Sequence, residues 1–140
     1  MSDLDRARRA AIHEASHVVV AMAEGARDVT AGVALTEGDP PQNGDGWTHF
    51  DREVLAPDSR VRIALAGAAG ETIFLRIPAR FSASDIALAE GADEARMKDP
   101  SWVEARAAEA DEMLRARWLE VFTVAGELML RGSWRQDASA

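Results

Sequence analysis

The sequence predicts a mainly α domain of the α+β class, with a small β-hairpin and edge strand near residues 28–50. Three observations carry that expectation. Apolar residues in the first two dozen positions recur at spacings of three and four. The region after Gly25 combines β-branched residues, partial alternation and a Gly/Pro-rich loop. From residue 58 onward, capping residues and helical periodicity return.

The elements follow in order. Ser2 with Asp5 resembles a capping box, and Leu4, Ala7, Ala11, Ala15, Val18 and Met22 form a helical stripe. Gly25 is a natural stop, so the first helix spans roughly residues 3–24. Residues 29–35 (VTAGVAL) read as a strand and 36–46 (TEGDPPQNGDG) as a loop. Residues 47–50 (WTHF) read as a second strand.

Asp58 can cap a helix over about 58–75, which carries the small-residue run ALAGAAGE. Gly67 and Gly70 would each cost about 1 kcal/mol there. A tight helix–helix contact is the expected reason for them. Pro78 interrupts, and Ser82 or Ser84 can cap a helix over about 84–97. Asp99 as N-cap and Pro100 at the first helical position open a long helix, stopped by Gly132. Its stripe runs Val103, Ala107, Ala110, Leu114, Trp118, Val121, Ala125 and Leu128. One domain over residues 1–132 is expected, followed by a frayed tail over 133–140 from which Trp134 can pack back onto the domain.

Composition narrows the function classes. The 140 residues are 47% apolar, enough for one sizeable core. A formal charge of −8 argues against nucleic acid and anionic membranes as partners, because both need a basic face. With no cysteine there is no thiolate chemistry, so a metal must be held by His, Asp or Glu. The acidic N-terminus is unlike a signal peptide, and the apolar run from Val18 to Ala23 is too short to span a bilayer. The expected location is cytoplasmic.

The chemistry concentrates in residues 13–17, His-Glu-Ala-Ser-His. His13 and His17 are i and i+4, so on a helix both imidazoles leave one face and can bind a single ion. Glu14 is offset around the helix, beside such an ion, where it can take a proton from the attacking water. Val20 and Ala23 stand where a metzincin would have its Gly and third His. His49, Glu71 and Asp85 remain as candidates for a third ligand.

Three blocks resemble the peptidase domain of the FtsH-type AAA+ zinc metalloproteases. HEASHVVVA (13–21) is similar to the family's H-E-A-G-H block, with Ser16 replacing Gly. IALAGAAGETIF (63–74) is similar to its L-x-G-G-R-x-A-E-E block, with Glu71 on the retained acid and Ala68 near the missing Arg. SASDIALAEGADEA (82–95) is similar to its G-A-x-N-D-L block, with Ser84 in place of Asn. The resemblance implies a helical zincin-like peptidase fold and Zn2+ held by His13, His17 and Asp85. It implies Glu14 as general base and peptides or unfolded protein segments as substrates. Glu71 is left open between accepting a hydrogen bond from a ligand histidine's other N–H and serving as a helix-surface or packing acid. The resemblance also implies an edge strand that receives substrate, on which His49 either faces the substrate or its oxyanion or is simply an exposed strand histidine.

No Walker-type phosphate loop occurs in the sequence. The expectation is a free-standing relative of the peptidase domain, with homo-oligomerisation and a separate ATPase or unfoldase partner left open. The alternative is a non-catalytic, zinc-stabilised helical module for binding or assembly, with the 100–131 helix as its contact face.

Overall fold

The computed structural model describes residues 3–34 and 46–137. It is mainly helical with one small antiparallel sheet, as the sequence predicts. The elements are α1 (Asp3–Ala23), β1 (Arg27–Val33), β2 (Gly46–Asp51), α2 (Pro57–Leu75), α3 (Ala83–Ala92), α4 (Pro100–Ala116), α5 (Trp118–Arg131) and β3 (Ser133–Arg135). A 3-10 turn at Arg96–Lys98 links α3 to α4.

α1 is the central element and packs against α2, α5 and the sheet. Its second half is apolar nearly all round: Val18, Val19, Val20 and Ala21 are all fully buried. Such a helix is held by the core that surrounds it rather than by one amphipathic face. Ala11, Ile12, Ala15 and Val18 join Ile63, Val121 and Leu128 in the main core. A second cluster of Val61, Ala64, Leu65 and Ala89, with Leu88, Trp102 and Val103 against it, ties α2 to α3 and α4. That cluster sets where α3 stands relative to α1. Among the described residues, no helix is long and apolar enough to cross a membrane.

The sheet has strand order β2-β1-β3, so β2 is an edge. β1 and β2 pair antiparallel, Thr30 opposite His49 and Val33 opposite Gly46. The expected loop at 36–46 falls, apart from Gly46, outside the described residues, as do Ser2 and Leu35.

Several boundaries differ from expectation. Residues 133–135, expected to fray, instead pair with β1 as β3, Trp134 opposite Ala31. Gln136 N donates to Val29 O at 2.8 Å, its side-chain oxygen accepts from Val29 N at 3.1 Å, and Trp134 packs on the core. The tail is held because β1 would otherwise leave one edge unpaired. Residues 138–140 lie outside the description.

The N-cap of α2 is Ala56 with Pro57 at its first position, so Asp58 is a first-turn acid and not the cap. Its carboxylate instead receives Arg96 and Arg106 at 2.7 and 3.1 Å. Ser82 caps α3, which ends at Ala92 rather than 97. Asp99 caps α4 as expected, accepting from Ser101 N.

The single long helix over 100–131 is two helices, broken at Arg117, which has φ −122° and ψ 26°. No Gly or Pro marks the break. α4 packs on α2 whereas α5 packs on α1, so tertiary contacts override local helix propensity. The stripe residues Ala110, Leu114, Val121, Ala125 and Leu128 nonetheless all reach the main core.

Candidate metal centre

The two histidines leave α1 on the face that meets α2, and α2 answers with glycine. A Cβ built on Gly67 would fall 2.5 Å from His13 Cε1 and 2.6 Å from His17 Nε2. The small residues of the ALAGAAGE run therefore do more than bring two helices together. At Gly67 they leave the volume that the imidazoles occupy.

Three donor atoms converge there. His13 Nε2 and His17 Nε2 are 3.1 Å apart. Asp85 places Oδ2 3.0 Å from His13 Nε2 and Oδ1 3.2 Å from His17 Nε2. Two ligands about 2.0–2.1 Å from a tetrahedral ion lie roughly 3.3 Å apart, so the three separations suit one small ion. Among the described residues, His13, His17 and Asp85 form a group able to hold a metal.

The outer nitrogens of both rings are engaged. His13 Nδ1 lies 2.6 Å from Glu71 Oε1 and His17 Nδ1 lies 2.7 Å from the carbonyl of Ile63. Both acceptors lack protons to give, so each Nδ1 carries a hydrogen, and in the neutral ring each Nε2 presents its lone pair inward. This is the tautomer a metal requires, and the outer acceptors fix the ring orientation. Arg9 Nε donates to the other Glu71 oxygen at 2.8 Å, extending the chain to Arg9–Glu71–His13.

Asp85 could have served only as a first-turn acid of α3. Ser82 takes the capping role by accepting from Asp85 N at 3.1 Å, which leaves the carboxylate turned to the histidines. The residue is only 7% exposed.

Protons and metal compete for these atoms. Burial works against a charged His13, but hydrogen bonds to Asp85 and Glu71 outweigh it and hold its pKa up at about 10. His17 is pushed up in the same way, burial opposing and Asp85 prevailing. Burial would raise Asp85, yet its bonds to both histidines hold its carboxyl well below the usual range. Glu71 is likewise lowered: burial opposes, and His13 and Arg9 prevail.

Glu14 is buried beside the cluster, its Oε1 accepting from Thr48 Oγ1 at 2.8 Å. A Cβ on Gly46 would fall 2.7 Å from Glu14 Cγ, so β2 passes this side chain at its barest point. Glu14, His13, His17 and Asp85 line one cavity of about 310 Å³, with β2 forming a wall. His49 also lines that cavity but is exposed and packs edge-on against Trp47, 5.1 Å between ring centres. It stands apart from the three converging donors. Glu71 reaches His13 on the side away from Asp85, as an acceptor.

The sequence reading missed Arg9, Thr48 and the Ile63 carbonyl. Arg9 had a signal, four residues before His13 on the same helical face. Thr48 and Ile63 had none, since only the packing of β2 and α2 on α1 brings them near. No family model matches this chain, and no curated protein matches it either.

Proposed function

We propose that this protein is a zinc-dependent metalloendopeptidase, acting on peptides or unfolded segments and related to the FtsH-type peptidase domains. The observation that carries this reading is the convergence of two imidazole Nε2 atoms and a carboxylate beside Glu14, in a cavity walled by an edge strand.

The donor set of two imidazoles and one carboxylate suits zinc and leaves a fourth position open. Zinc, when bound, supplies a Lewis acid that polarises the scissile carbonyl. The chain's own residues supply the rest. Glu14 takes the proton of the attacking water and passes it to the leaving amine. Thr48 holds the Glu14 carboxylate in place. Glu71 and the Ile63 carbonyl keep both imidazoles in one tautomer and orientation. β2, which among the described residues pairs with β1 alone, offers its second edge to an extended substrate as an added strand.

The test compares zinc-loaded wild type with Glu14→Gln on casein, with zinc content measured in both. The expected result is cleavage by wild type and a loss of at least 100-fold in the variant, within the range for a general base. Equal cleavage by both removes Glu14 from the mechanism. No cleavage by either, with zinc bound, favours a zinc-stabilised binding module.

A further inference from the structure

The cavity beside Glu14 runs along the edge of β2. Gly46, Trp47, Thr48, His49 and Phe50 line it as consecutive residues, although the side chains of a strand alternate between two faces. Side chains from one face cannot do that, so the main chain of the strand forms this wall. β2 packs on β1 and α1, whereas α3 packs on α2. Ser82, Ser84 and Asp85 from the start of α3 line the same cavity, so α3 stands across it from β2.

The sheet fixes which main-chain groups of β2 reach that edge. Val33 N donates to Gly132 O at 3.0 Å and Gln136 N donates to Val29 O at 2.8 Å, so Val29 and Val33 turn their main-chain groups toward β3. The direction alternates along a strand, and Thr30 and Gly32 therefore turn toward β2. Their partners there are His49 and Trp47. These two residues are bonded to β1, which leaves the N–H and C=O groups of Gly46, Thr48 and Phe50 pointing to the open edge. Gly46 and Thr48 also face α1. Thr48 Oγ1 donates to Glu14 Oε1 at 2.8 Å, and a Cβ on Gly46 would fall 2.7 Å from Glu14 Cγ. Glu14 thus lies against the segment 46–48.

We propose that Thr48 sets the register of the substrate strand and couples it to the base: its main chain holds the second residue before the cut bond while its hydroxyl holds Glu14. This rests on the peptidase reading above. Antiparallel pairing is the more stable choice for an added strand, and in it one substrate residue exchanges two main-chain hydrogen bonds with Thr48. The next residue toward the peptide's C-terminus lies opposite Trp47 and turns its carbonyl away from β2, across the cavity to the side of Asp85. The residue after that lies opposite Gly46 and brings its N–H to the point where β2 touches Glu14. The cut bond joins these last two residues. Its carbonyl then faces the converging donors, and its nitrogen lies beside the acid that protonates the leaving amine. Phe50 holds the fourth residue before the cut by the same alternation. One residue, Thr48, carries both contacts, so hydrogen bonds that fix its main chain also fix the hydroxyl that orients Glu14.

The experiment uses the zinc-loaded full chain and a casein-derived peptide cut at one mapped bond, in which each main-chain N–H before the cut is replaced in turn by an ester oxygen. The ester at the second or the fourth residue before the cut should lower kcat/KM about 10-fold, and the ester at the third less than about twofold, since only the first two lose a hydrogen bond to β2. Thr48→Val keeps the main chain and removes the hydroxyl. Its kcat should fall about 10-fold with KM within about twofold of wild type, and Thr48→Ser should restore kcat. The ester series is read on wild type, so it decides the register even where Thr48→Val fails to fold. A flat ester profile, or a loss at the third residue instead, overturns the register and leaves the peptidase reading intact. A folded Thr48→Val with unchanged kcat overturns the coupling to Glu14. No cleavage of any peptide by zinc-loaded wild type overturns the peptidase reading and this proposal with it.

Discussion

Ser16 and Gly70 share one space. The Ser16 hydroxyl donates to Ile12 O at 2.7 Å, and a Cβ built on Gly70 would overlap the Ser16 oxygen. The α1–α2 contact therefore closes only because one position is glycine. In an ordinary helix Gly→Ala stabilises by about 1 kcal/mol. Here Gly70→Ala should destabilise by about 1–3 kcal/mol through overpacking. In a Ser16→Gly background the same change should become neutral or stabilising. Urea denaturation of the four proteins in the double-mutant cycle checks this, and additivity of the two changes would refute it.

Glu71 acts on His13 through the nitrogen turned away from the converging donors, at 2.6 Å. Glu71→Gln keeps the shape and removes the charge. Zinc affinity should fall about 10–100-fold, the usual effect of losing such an outer partner. Competition with a chromophoric chelator measures it. Unchanged affinity would reduce Glu71 to a packing acid.

The metal-free protein should lose stability on both sides of a mildly acidic optimum. His13 is raised from 6.5 to about 10 by Asp85 and Glu71 against burial, so its contribution is complete below 6.5 and disappears as pH rises through about 10. Asp85 is lowered from 3.8, so its contribution is present above 3.8 and disappears as pH falls below it. Tm should therefore peak between about 4 and 6.5. Zinc should steepen in affinity as pH rises, because it must displace the imidazole protons. A metal-free Tm that climbs from pH 6.5 to 9 would contradict this.

Arg62 clamps the end of α1 to α4. Its Nε and Nη2 donate to the two Glu24 oxygens at 2.6 and 3.1 Å, and Nη1 donates to Glu109 at 3.2 Å. Burial raises the Glu24 pKa, but Arg62 prevails and holds it below 4.5. Its stabilising effect is present above 4.5 and is lost as pH falls. Arg62→Leu leaves a carboxylate only 11% exposed without its partner. The expected cost at pH 7 is about 1–3 kcal/mol, shrinking below pH 4 as Glu24 takes a proton. Denaturation at both pH values checks it.

Much of this molecule is decided by neighbours in the chain. The i,i+4 spacing of His13 and His17 aligns two imidazoles wherever residues 13–17 are helical, and that needs no tertiary partner. Asp99, Pro100 and the positive-φ stops at Gly25 and Gly132 act within a few residues, so they too were legible. The tertiary structure decided what depends on distant surfaces meeting. It chose which acid faces the imidazoles, bringing Asp85 across 72 residues of sequence to His13. It set Glu71 outside the cluster and His49 on an exposed edge. It broke the last long helix at Arg117, where no residue type announces a break, because α1 and α2 each hold one half. It drew Ser133–Arg135 into the sheet, since an unpaired β1 edge recruits whatever strand can reach it. In HEASH, sequence determines that two nitrogens point the same way, and packing against α2, α3 and β2 determines what stands opposite them.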